Sequence, residues 1–146
     1  APDWNPQAKG MICNLSLCSK RGDIARALLE GIAVDVARNL EMIEKAVGQA
    51  QVLCLSGGLT NLPAFNQLQA DIYNRCTVIC SNNEATSAGA WISWMKQTGR
   101  CESYEQAFVL AQKTSSETTY WPCEKTATAY QALKLQSRVL YERLWQ

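Results

Sequence analysis

Apolar positions in this chain recur at two spacings, and the switches between them mark its elements. Over residues 8–17, Met11, Cys13, Leu15 and Leu17 fall at every second position, with Ile12, Asn14 and Ser16 between them, which predicts a strand. The repeat then lengthens to three and four. Ala25, Leu28, Leu29, Ile32, Val36, Leu40, Ile43 and Val47 form the apolar stripe of a long helix. Ser19 to Asp23 supply its opening, Gly48 its stop, and Glu41 with Lys45 a favourable pair four residues apart.

The apolar run 51–56 predicts a buried strand, and Phe65, Leu68 and Ile72 line one face of a helix over 61–74. Residues 76–80 predict a short strand. Ser81, Asn82 and Asn83 then cap a helix from Glu84 to Gln97, which Gly99 ends. A helix follows over Tyr104–Lys113, then a loop over 114–124. A last helix over Thr126–Trp145 carries a stripe of Tyr130, Leu133, Leu140 and Leu144. Strands alternating with helices, then helices alone, predict an α/β layer fold with parallel central strands. Its length of 146 residues suits one domain, 1–146.

The candidate chemistry sits where strand 51–56 hands over to the next helix, at Ser56-Gly57-Gly58-Leu59-Thr60-Asn61-Leu62. Glycine has no Cβ, so a sugar or purine can lie against the main chain there, beside a helix opening. Alone, a glycine pair reads first as a tight strand-to-helix turn; the apolar strand before it and the helix opening after it favour the ligand reading. The second opening, Asn82 to Ala90, is rich in small residues. These suit either packing against a neighbour or close approach to the glycine turn, with one cleft between two helix openings. Asp23, Glu30, Asp35, Asp71 and Glu84 are scattered, with no spacing that suggests acid–base work, and no Walker lysine motif occurs.

Composition narrows the function further. A net charge of +1 without like-charge blocks favours neither nucleic acid nor an anionic membrane, and no apolar run has membrane-spanning length. With no histidine, triad and imidazole acid–base chemistry is excluded. Seven cysteines, an odd number with no Cys-x-x-Cys, predict free, mostly buried thiols in a reducing cytoplasm rather than disulfides or zinc. Cys76 and Cys80 lie about 13 Å apart along one strand, too far to bridge. A thiol redox role needs an exposed cysteine of lowered pKa, and no spacing marks one.

Four segments, in order, resemble the C-terminal half of the FGGY carbohydrate kinases, the group of glycerol kinase, xylulokinase and ribulokinase. They are Ala1 to Gly10, with its Trp-Asn-Pro; Ile24 to Ala33, with Glu30-Gly31-Ile32-Ala33; Ser56-Gly57-Gly58 with Gln67 and Ala70-Asp71; and Glu84-Ala85-Thr86-Ser87-Ala88-Gly89-Ala90. The resemblance implies a ribonuclease-H-like, actin-type domain, incomplete at its N-terminal strands and carrying extra C-terminal helices. It implies an ATP-dependent sugar or polyol kinase using Mg2+, in which this chain holds the adenosine. Gly57 and Gly58 would lie against ribose and adenine, and Leu62 would face the base. No catalytic or metal-ligating residue falls on this chain. The catalytic aspartate and first phosphate loop belong to the family's N-terminal domain, which is the expected partner. Leu59 and Trp91 stand where smaller residues are usual and would narrow the adenine pocket.

A second expectation comes from a different class. If absent strands leave an open sheet edge, the chain is a non-catalytic interaction module that pairs with another copy or with its other half.

Overall fold

The computed structural model describes residues 5–7, 9–79, 84–111 and 117–145, with Trp145 described in its backbone alone. Helix α1 (Arg21–Val47) leads into strand β1 (Val52–Leu55), a 3-10 turn over Gly58–Asn61 and helix α2 (Pro63–Tyr73). Strand β2 (Cys76–Ile79), helices α3 (Ala85–Gln97) and α4 (Tyr104–Ala111), strand β3 (Thr118–Tyr120) and helix α5 (Glu124–Trp145) follow. The sheet runs β1-β2-β3. As expected, β1 and β2 are parallel, with Val52 opposite Cys76 and Leu55 opposite Ile79.

Local chemistry sets the boundaries. The Asp23 carboxylate accepts the Lys20 N–H at 2.8 Å and closes the first turn of α1. Gly48, at φ 92°, ends that helix by donating its N–H to the Glu44 carbonyl. The Glu44 carboxylate then accepts the Ala50 N–H at 3.1 Å and faces Arg75 at 3.8 Å, steering the chain into β1. Pro63 opens α2, where a missing N–H loses nothing, and Asn74 ends it in the left-handed conformation.

Two expectations about where strands lie fail here. Residues 9–16 form no strand. Met11, Ile12 and Leu15 stand exposed and Leu17 is fully so. Alternation creates a strand only where a neighbour supplies ladder hydrogen bonds, and β1 pairs with β2 instead. Conversely, the predicted loop 114–124 holds β3, antiparallel to β2, with Tyr120 opposite Thr77.

The core lies where α1, α2 and α5 meet the sheet. Ala33, Val34, Ala37, Phe65, Ile72, Tyr73 and Tyr130 form it, flanked by half-buried Leu29, Leu40, Leu53, Leu55, Leu68 and Leu133. The α1 stripe is therefore rotated from the expected one. The small residues Ala33 and Ala37 turn inward, while Leu28, Ile32, Val36, Ile43 and Val47 are exposed. Small side chains let helix backbones approach closely, so this face wins the contact with α2. Tyr130 ties α5 to α1: its hydroxyl donates to Glu30 at 2.7 Å and accepts from Arg26 at 3.0 Å. In α5 the outer part of the expected stripe, Leu140 and Leu144, is exposed. Among the described residues no helix is long and apolar enough to cross a membrane.

Candidate functional site

The glycine pair follows β1 at the carboxyl end of the parallel strands. Gly57 has φ 108° and ψ 170°, a conformation that L side chains rarely adopt. Gly58 has an ordinary φ. A Cβ built at either glycine meets no atom within 4 Å, so open space faces both. Leu62, expected at the base, is 43% exposed at the N-cap of α2, and Leu59 is 52% exposed. All three expected site residues thus sit on one accessible turn.

The turn is built from within. The Gly57 carbonyl accepts the Thr60 hydroxyl at 2.7 Å and the Thr60 N–H at 3.0 Å. The Thr60 carbonyl in turn accepts Nδ2 of Asn66 at 2.8 Å. Both Thr60 and Asn66 are buried. Sequence reasoning passed over Asn66, whose one signal is a polar residue on the inward face of a helix, beside Phe65.

Gln67 and Asp71, part of the third segment that carries the resemblance, hold the structure together. Gln67 Nε2 donates to the Asp71 carboxylate at 2.9 Å and to the Trp121 carbonyl at 2.8 Å. The same Asp71 oxygen accepts the Cys123 N–H at 2.8 Å. The pair pins the chain between β3 and α5 onto α2. Ala70, in the same segment, is fully buried.

The second helix opening differs from expectation. Asn82 and Asn83 lie outside the described residues. Among residues 85–90 only Ala88 is half-buried and the others are exposed; α3 packs chiefly against α4. Trp91 is 39% exposed.

The thiols also depart from expectation. Of the six described cysteines, all free, Cys76 and Cys101 are buried while Cys13, Cys18, Cys54 and Cys123 are exposed. Cys123 precedes α5, and hydrogen bonds from the Thr126 side chain and backbone lower its thiol pKa. Among the described residues no three metal-ligating side chains cluster.

Comparison with known proteins gives this geometry a context. The profile of the FGGY family of carbohydrate kinases, C-terminal domain, matches residues 1–96. Gluconokinase of Bacillus licheniformis is 28% identical over 134 residues, covering 91% of this chain and 26% of that protein. Glycerol kinase of Methylorubrum extorquens (strain PA1) is 39% identical over 92 residues, 62% of this chain and 18% of that one. The structure of Plasmodium falciparum glycerol kinase with ADP superposes with a TM-score of 0.71 at 25% identity, covering 100% of this chain and 29% of that chain. The chain therefore spans about a quarter or less of the curated relatives it matches first. A strand, glycine turn and helix in this order, on a matched profile that extends over most of the chain, place it in the FGGY family of carbohydrate kinases.

Proposed function

We propose that this chain is the adenosine-side part of an ATP-dependent sugar or polyol kinase. The observation that carries the reading is the glycine turn: a left-handed Gly57 and an unobstructed Gly58 at the mouth of parallel strands, with Leu62 exposed beside them. Such a surface suits a flat nucleoside, because main chain can approach a ring more closely than any side chain allows. Gly57 and Gly58 would lie under the ribose and adenine, with Leu62 against the base. Bound ATP supplies the phosphoryl group, and Mg2+ neutralises its charge. The described residues contribute binding and orientation. The base for the sugar hydroxyl and the first phosphate loop come from an N-terminal kinase domain. On this reading the fold is ribonuclease-H-like and actin-type, with β1, α2 and β2 as its parallel half and α4 and α5 as additions.

The test is thermal unfolding of the 146-residue chain with and without Mg-ADP. Ligand at 100 times Kd stabilises the native state by about 2.7 kcal/mol. A rise in melting temperature with ADP, and no phosphorylation of glycerol, gluconate or xylulose by the chain alone, supports the reading. No rise at millimolar ADP refutes it.

A second reading, a self-associating module without catalysis, is favoured by one observation. The outer edge of β1 is unpaired among the described residues, and the exposed stripe of α1 lies on the same chain segment. Sedimentation showing a tight dimer that ignores ADP supports it.

A further inference from the structure

The glycine turn is held from beneath by a residue that core packing alone would not select. Asn66 is 1% exposed in the first turn of α2. Its Nδ2 donates to the Thr60 carbonyl at 2.8 Å, while its Oδ1 is buried with no hydrogen-bond partner among the described residues. The amide cannot be reversed, because a carbonyl only accepts, so the nitrogen must face Thr60 and the oxygen must face the interior. An unpaired buried acceptor is unfavourable, and leucine would fill the same space without one. Asn66 therefore contributes something other than packing.

What it contributes is a link. The carbonyl it fixes belongs to Thr60, which donates twice to Gly57, once from the hydroxyl at 2.7 Å and once from the N–H at 3.0 Å. Asn66, Thr60 and Gly57 form a continuous chain of hydrogen bonds from α2 to the glycine at positive φ. One end is anchored: Phe65, Gln69, Ala70, Ile72 and Tyr73 of the same helix are buried. The other end opens to solvent at Gly58.

We propose that Asn66 is the positioning residue of the glycine turn, fixing the Thr60 carbonyl and through it the backbone on which the nucleoside lies. The proposal rests on the nucleotide reading above for its purpose, but the turn itself is testable without nucleotide. In Asn66→Leu the lost hydrogen bond and the lost orphan oxygen offset each other, so the melting temperature changes little. Amide hydrogen exchange at Thr60 and Leu62, read by NMR, rises about tenfold or more while Ile72 and Leu53 keep their protection. Binding of Mg-ADP by the same variant weakens several-fold.

Unchanged exchange at Thr60 and Leu62 overturns the proposal, and so does a uniform rise through α2 and β1, which is what a purely packing residue produces. A wild-type chain that ignores ADP, with Thr60 still freed in Asn66→Leu, overturns the nucleotide reading and upholds the link. Should Asn66→Leu fail to fold, Asn66→Ala decides through the same amides, since it too removes the donor that holds the Thr60 carbonyl. Faster exchange at positions 60 and 62 supports the proposal, and no change overturns it.

Discussion

Helices α2 and α3 each follow a parallel strand in the sequence, yet α2 buries seven of its eleven residues and α3 buries none. Apolar content is not the cause, for α3 carries Trp91, Ile92, Trp94 and Met95. The difference lies in partners. Helix α2 is wedged between α1, α5 and the sheet, whereas α3 packs chiefly on α4. An amphipathic pattern thus promises a helix, and only a neighbour converts it into a core. The glycine turn stands on the well-supported helix, which gives it a fixed geometry.

Substitutions sharpen this contrast. Ile72 in α2 is fully buried, so Ile72→Ala should cost about 2–5 kcal/mol in urea unfolding. Trp94 in α3 is 44% exposed and stacks under Arg100 at 4.4 Å. Trp94→Ala should cost about 0.5–1 kcal/mol, the scale of an exposed cation–π contact. Comparable losses for the two would erase the distinction.

The next effect down concerns Asp71. Its carboxylate serves both Gln67 and the Cys123 N–H, so Asp71→Ala should cost about 1.5–3 kcal/mol. Amide exchange should quicken at Cys123 and the opening of α5 ahead of β1. Loss spread evenly over the chain would mean that Asp71 is not the local pin described here.

The two glycines should then separate. Gly57→Ala places a side chain at φ 108° and should cost about 1–2 kcal/mol, although nothing lies within 4 Å of the new methyl. Gly58→Ala should stay within about 0.5 kcal/mol of the wild type. Equal costs would argue that the turn differs from the one seen.

A last effect appears only at high pH. Burial pushes the Tyr73 hydroxyl from its ordinary 10.0 to about 12. The folded state holds this proton more tightly than the unfolded one. Its contribution is therefore complete below about pH 10 and is lost as pH rises through about 12. In Tyr73→Phe the alkaline fall in stability should flatten between those values, and an unchanged slope would contradict the burial argument.

Much of this fold was legible because it rests on local signals. Gly48 and Gly99 stop their helices, and the run 52–55 followed by two glycines marks a strand and its turn. What was illegible depends on distance. Residues 9–17 have the alternation of a strand but no ladder partner among the described residues, while Thr118–Tyr120 is too short to show alternation and is a strand because β2 lies beside it. The rotated stripe of α1 has the same origin: its sequence offers two apolar faces, and only α2 chooses between them. At the site, Gly57 and Gly58 announce themselves by lacking side chains. Thr60 and Asn66 do not, because a hydrogen bond between residues six apart in sequence leaves no periodic trace.

The most direct measurement is the affinity of the wild-type chain and of Gly58→Ala for Mg-ADP by titration calorimetry, alongside their melting temperatures without ligand. A nucleoside lying on the bare backbone at Gly58 predicts binding by the wild type, and at least a tenfold loss in the variant at unchanged stability, a difference of about 1.4 kcal/mol. Equal affinity in the two chains would contradict it.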